Sequence, residues 1–180
     1  ILAAGQGTRL APLTNDRPKC MVALNGVSLL NRQIATLREF GVTDVTVIGG
    51  HHVECIESTG VPTVINEKYA SSNMVFTLFC ASHLMNGTSE LIIAYGDIVY
   101  EPRVLKALLD CDAPVCVAID TEWLRYWKLR MDDPLADAET LKLDTHGRVL
   151  ELGKKPQNYG EIQGQYMGLI KIKKEYVTDL

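Results

Sequence analysis

The residues best suited to chemistry lie between Ile1 and Lys19, ILAAGQGTRLAPLTNDRPK. Ile1–Ala4 is an apolar run too short for a helix, and it reads as the end of a buried strand. Gly5 and Gly7 follow at once. Without a Cβ, the backbone can turn sharply off a strand and approach a ligand closely. A turn lined with free N–H groups cradles phosphate oxygens. Arg9 adds a planar donor fork and Lys19 a mobile point charge, both suited to polyphosphate. Pro12 and Pro18 are expected to keep the intervening loop extended. The bend therefore reads as a triphosphate site, although Gly-x-Gly after a strand also occurs in turns that bind nothing. A dinucleotide turn would want a small residue where Leu10 stands and an acid after the second strand, where Gly49–Gly50–His51 lies instead. No Gly-Lys-Ser/Thr sequence completes a P-loop here.

A second anchor is Asp97, which follows an apolar strand as Tyr95–Gly96–Asp97. Open α/β sheets bind ligands at the carboxyl ends of their strands. A carboxylate there can hold Mg²⁺, which takes oxygen ligands and bridges substrate phosphates. It can equally serve as a turn residue or a helix cap. Lys154–Lys155–Pro156 follows a later strand, either as a solvated edge or as a phosphate contact. Between them lies TEWLRYWKLRMDDPLADAE, Thr121–Glu139. Trp123, Tyr126 and Trp127 stand there among Glu122, Asp132, Asp133, Asp137 and Glu139. Aromatic faces with carboxylates suit an amine or quaternary ammonium; the same aromatic spacing also builds ordinary cores.

The stretch LAAGQGTRLAPLT…RPK resembles the opening motif of the nucleotidyltransferases that activate sugar phosphates and small phospho-alcohols. Those enzymes move a nucleoside monophosphate from an NTP onto a phosphate and release pyrophosphate. The resemblance joins the glycine turn, Thr8–Arg9–Leu10, Leu13–Thr14 and Pro18–Lys19 in one order. It implies that Leu2, Ala3, Ala4, Gly5, Gly7, Thr8, Arg9, Lys19, Asn73 and Gly96 bind the nucleotide. It further implies that Lys19, Arg9 and Asp97 serve catalysis and that Asp97 holds Mg²⁺. The family's second metal carboxylate has no clear counterpart before Leu180. Lys155–Pro156 is similar to the Lys-Pro that meets the acceptor phosphate in sugar-nucleotide members, but Lys154 replaces their Glu, which speaks against a sugar. Asn73–Met74, DPLADAE and Gly164–Ile170 resemble the phosphocholine and phosphonate cytidylyltransferases. That branch implies CTP with phosphocholine or 2-aminoethylphosphonate, with Lys155, Trp123, Tyr126, Asp137 and Glu139 around the acceptor. The rival expectations are a sugar-1-phosphate nucleotidyltransferase and a nucleotide sensor without activity.

The elements that must position these residues alternate. Ser28 caps a helix over Leu29–Phe40 with Leu30, Ile34 and Leu37 on one face, stopped by Gly41. Strands are expected at Val45–Ile48, Val61–Ile65, Leu91–Tyr95 and Val115–Ile119, and helices at Asn73–Leu84 and Pro102–Leu109. Met74, Leu78 and Ala81 are expected to face inward. Leu141–Leu143 and Val149–Leu152 flank a hairpin turn, Asp144–Gly147. Gln163–Ile172 is a last strand, with a helix opening at Lys173. The alternation predicts an α/β sheet, mostly parallel; the resemblance implies a Rossmann-like, three-layer mixed sheet with the hairpin near the C-terminus.

At 180 residues the chain suits one domain, 1–180. Ile1 starting inside a strand leads to the expectation of a domain truncated at both ends. The net charge of −4 disfavours a nucleic-acid partner. No apolar run reaches the roughly 20 residues that span a bilayer. His51 and His52 read as surface histidines. Cys20, Cys55, Cys80, Cys111 and Cys116 contain no Cys-x-x-Cys, so they are expected as free thiols in a cytoplasmic protein. A homodimer is a further expectation.

Overall fold

The computed structural model describes residues 1–180. Strand β1 (Leu2–Ala3) leads through two 3₁₀ turns, Thr8–Leu10 and Lys19–Met21, to a small hairpin of β2 (Ala23–Leu24) and β3 (Val27–Ser28). Asn25 and Gly26 adopt φ of 50° and 78°, the left-handed pair that a two-residue hairpin turn requires. Helix α1 (Leu29–Glu39) follows, with the Ser28 hydroxyl accepting from Asn31 N–H at 3.2 Å. It buries Leu30, Gln33, Ile34 and Leu37. Then come β4 (Val47–Gly49), α2 (Val53–Glu57), β5 (Thr63–Ile65), α3 (Met74–Phe79), β6 (Leu91–Ala94) and α4 (Pro102–Asp110). The remaining elements are β7 (Val115–Asp120), α5 (Trp123–Trp127), β8 (Leu141–Leu143), β9 (Val149–Leu152) and β10 (Gln165–Ile172).

The sheet is mixed, as expected. β1, β4 and β5 run parallel in the order β1-β4-β5, with Leu2 opposite Ile48 and Ile48 opposite Val64. A parallel bridge from Leu2 to Tyr95 brings the end of β6 beside β1. β6 pairs antiparallel with β10, Ala94 opposite Leu169. Leu2, Ile48, Ile93 and Ile172 form the core beneath, packed by Leu78, Ala81 and Val177. β8 and β9 make the predicted hairpin, with Asp144 accepting from His146 and Arg148 N–H. The chain divides into two compact units, Ile1–Cys116 with Gly168–Leu180, and Val117–Met167.

Four local expectations are corrected. The loop between Pro12 and Pro18 runs through turns and bends rather than extended, with Asn15 N–H donating to Pro12 C=O at 3.2 Å. The helix predicted from Asn73 to Leu84 breaks after Phe79 into a 3₁₀ turn, Ser82–Leu84. Met74 is exposed, and Thr77 takes the buried position on α3 because its hydroxyl bonds Asn66. Cys111 and Cys116 are joined in a disulfide, since the end of α4 and the start of β7 bring their Cα atoms within 6.5 Å; Cys20, Cys55 and Cys80 are free. Past Lys173 the chain makes a 3₁₀ helix, Lys174–Asp179. No helix is long and apolar enough to cross a membrane.

Candidate active site

The site belongs wholly to the first unit. A cavity of about 300 Å³ is lined by Leu2, Ala3, the Gly5–Leu10 bend, Lys19 and Cys20 on one side and by Tyr95, Gly96 and Asp97 on the other, with Met74 at its edge. Sheet pairing brings these walls together. Gly96 N–H donates to Leu2 C=O at 2.8 Å. A Cβ on Gly96 would lie 2.8 Å from Ala3 Cβ, so only glycine lets the Asp97 turn pass so close to β1. Gly50 is likewise pressed against Tyr69 and the Ala4 carbonyl.

Within the bend the two glycines differ. Gly7 has φ +65°, a left-handed conformation, and a Cβ there would sit 3.0 Å from Lys19 Cβ. The buried Thr14 hydroxyl donates to Gly7 C=O at 3.0 Å and clasps the bend. Gly5 meets nothing within 4 Å of an added Cβ, so its lack of a side chain leaves open space. The amides from Gly5 to Arg9 donate to no backbone carbonyl, which leaves them open to solvent or a bound group. Lys19 Nζ forms an ion pair with Asp97 Oδ2, the two side chains 34% and 33% exposed. Arg9 is exposed and makes no ion pair. Cys20 is no nucleophile here: burial pushes its thiol up to about 12.

The structure thus brings Leu2, Ala3, Gly5, Gly7, Thr8, Arg9, Lys19, Gly96 and Asp97 around one cavity. Two of the expected nucleotide-binding residues stand elsewhere. Ala4 is buried with its carbonyl accepting from His51 N–H at 3.1 Å. Asn73 caps α3, its Oδ1 accepting from Phe76 N–H at 2.9 Å, and Met74 rather than Asn73 reaches the wall.

Comparison with known proteins shows the family. The family described as MobA-like NTP transferase domain matches residues 1–151. The chain belongs to that family. It is similar to the CTP:phosphoglutamine cytidylyltransferase of Campylobacter jejuni, 38% identical over 100% of this chain and 74% of that protein. It is also similar to the choline-phosphate cytidylyltransferase of Streptococcus pneumoniae, 42% identical over 44% of this chain and 36% of the other. Among solved structures, the inositol-1-phosphate CTP transferase of T. maritima shares the fold with a TM-score of 0.73. It is 20% identical to this chain and is matched over 98% of it and 70% of the other.

In this NTP transferase domain, the residues expected around an acceptor lie in the second unit. Trp123 is 3% exposed and packs with Ala138 and Ile162. Trp127 meets it edge-on at 5.3 Å and Tyr159 at 6.3 Å. The expectation that Trp123 binds substrate is corrected: it is core. Tyr126 is exposed, yet the Arg130 guanidinium already lies over its ring at 5.6 Å and over Trp127 at 5.0 Å. That cation takes the place foreseen for an ammonium ligand. Lys155 Nζ donates to Leu135 C=O at 3.0 Å and to Ala136 C=O, closing the DPLA turn. Asp137 and Glu139 are exposed just beyond it, and the Gln165 amide donates to Glu139 C=O at 2.7 Å. Lys154 is paired with Glu151 at 2.6 Å; Lys154 and Lys142 together hold that carboxyl at about 2.

Proposed function

We propose that this domain transfers CMP from CTP to a small phosphorylated acceptor and releases pyrophosphate. The observation that carries the reading is the cavity where the unpaired amides of the Gly5–Arg9 bend meet the Lys19–Asp97 pair. The relatives named above support cytidine as the base.

In the reaction an acceptor phosphate oxygen attacks the α-phosphorus of CTP. The bond from that phosphorus to the bridging oxygen breaks, and pyrophosphate leaves with the electron pair. An ionised phosphate needs no protein base, so positioning and charge stabilisation carry the catalysis. The bend amides would hold the triphosphate oxygens. Arg9 and Lys19 would offset the charge that grows on the leaving pyrophosphate. Before the nucleotide binds, Asp97 holds the Lys19 ammonium, so that cation is oriented in advance.

Three or more His, Cys, Asp or Glu side chains nowhere cluster into a metal cage. A single cavity carboxylate instead fits a magnesium ion that keeps most of its ligands from substrate phosphate and water. Asp97 would hold such an ion, which would supply charge neutralisation at the phosphates.

As acceptor we favour a phosphorylated amino compound of the kind named for the relatives, phosphoglutamine or phosphocholine. The burial of Trp123 and the occupied face of Tyr126 give a quaternary ammonium no aromatic cage of their making, which turns the choice toward phosphoglutamine. The test offers four NTPs against phosphoglutamine, phosphocholine, 2-aminoethylphosphonate and a sugar 1-phosphate, with and without Mg²⁺. Pyrophosphate release with CTP and an amino-compound phosphate is expected. Release with a sugar phosphate alone would overturn the acceptor, and no release with any pair would overturn the activity.

A further inference from the structure

Gln33 stands on the buried face of α1 among Leu30, Ile34 and Leu37, 2% exposed. Its Nε2 donates to Tyr95 C=O at 2.9 Å and to Ile98 C=O at 3.1 Å, two carbonyls that bracket Gly96–Asp97. Both acceptors are carbonyls, so the end of the amide that faces them is its nitrogen. Its Oε1 is buried and has no partner in the protein. A buried acceptor left unpaired costs about as much as two neutral hydrogen bonds return. Fold stability alone would be served as well by an apolar residue on this face. What the amide adds is a fixed turn.

The same helix also braces the other anchor. α1 packs against the Lys19–Met21 turn, and Leu29 N–H donates to Val22 C=O at 3.1 Å. One rigid element therefore holds Lys19 from its N-terminal end and the Asp97 turn from its second turn. We propose that Gln33 is a positioning residue, which sets Asp97 against Lys19 by fixing the carbonyls on either side of it. The inference rests on the nucleotidyl-transfer reading of the cavity and extends it to a residue that touches no substrate.

Gln33→Met removes both donors at nearly constant length. Gln33→Asn keeps an amide but is one methylene too short to span the two carbonyls. Ile34→Val, which trims the same face without touching the turn, is the control. Both Gln33 variants should lose about tenfold to a hundredfold in kcat, the range for groups that orient a ligand from behind. The KM for CTP should change less than about threefold, since the glycine bend is untouched. Independently of turnover, Mn²⁺ titrated calorimetrically into protein saturated with a non-hydrolysable CTP analogue should bind at least about tenfold more weakly. Ile34→Val should leave all three values alone. Unchanged kcat and Mn²⁺ affinity in a folded Gln33 variant would overturn the inference, as would a loss shared equally by Ile34→Val. A wild-type chain that releases no pyrophosphate would overturn the functional reading instead, and the Mn²⁺ titration would still judge Gln33.

Discussion

Gly5 and Gly7 look alike in sequence, but they answer to different constraints. Gly7 is fixed by its own backbone: φ +65° costs an L-residue roughly 1–2 kcal/mol, and a Cβ would push on Lys19. Gly7→Ala should therefore lower Tm and turnover together. Gly5 has no such requirement, because an added Cβ meets open space. Gly5→Ala should leave Tm unchanged in a thermal melt, while a lost hydrogen bond of roughly 1.4 kcal/mol raises the nucleotide KM about tenfold. If Gly5→Ala also lowered Tm, the residue would be structural and the cradle misplaced. For Lys19, truncation removes charge stabilisation at the leaving group and leaves Asp97 without its partner. Lys19→Ala should cut kcat about a hundredfold or more, equivalent to ~3 kcal/mol; near-normal turnover would end the assignment.

At the scale of elements, the bend is also tied from outside. His52, in a left-handed conformation at the start of α2, contacts Glu54 at 2.9 Å through Nδ1 and the Asn15 carbonyl at 3.3 Å through Nε2. Both partners are acceptors, so only the imidazolium donates to both at once. Glu54, with the Asn15 carbonyl and nearby Asp16, raises the His52 value above its ordinary 6.5, and His52 lowers Glu54 below 4.5. The histidine's contribution is thus complete below pH 6.5 and fades as pH rises through its folded value. The carboxylate's is complete above pH 4.5 and fades as pH falls. Urea unfolding of the wild type and His52→Gln should differ more at pH 5.5 than at pH 8; an equal difference would show that the contact does not depend on charge. These ties also mark what the sequence could reveal. The glycine bend, the Ser28 cap, the Asn25–Gly26 turn and the Asp144 hairpin are local devices, readable because partner and residue lie a few positions apart. Gln33 with Tyr95 and Ile98, and Cys111 with Cys116 across a helix–strand junction, depend on how elements pack. Asn66 with Thr77 reaches across a loop in the same way. Trp123 is ambiguous in the sequence for another reason: the spacing that lines a ligand pocket is the spacing that builds a core.

For the whole molecule, the proposed reading assigns the nucleotide and acceptor contacts to residues of different units. Every residue lining the cavity comes from the first unit, whereas Lys155, Asp137 and Glu139, proposed for the acceptor, come from the second. Lys155 spends two of its three ammonium donors on the Leu135 and Ala136 carbonyls and keeps one. A single charge-assisted bond to an acceptor phosphate, at roughly 1.5 kcal/mol, corresponds to about a tenfold change in affinity. Lys155→Ala should then raise the acceptor KM about tenfold while the KM for CTP stays within experimental error. Lys155→Gln separates the two duties of the side chain, since its amide can still donate to the turn carbonyls but carries no charge. If Lys155→Gln binds the acceptor as well as the wild type, the lysine serves only to close the DPLA turn, and the acceptor phosphate must be met elsewhere. If the CTP and acceptor constants move together, the two units do not divide the substrates at all.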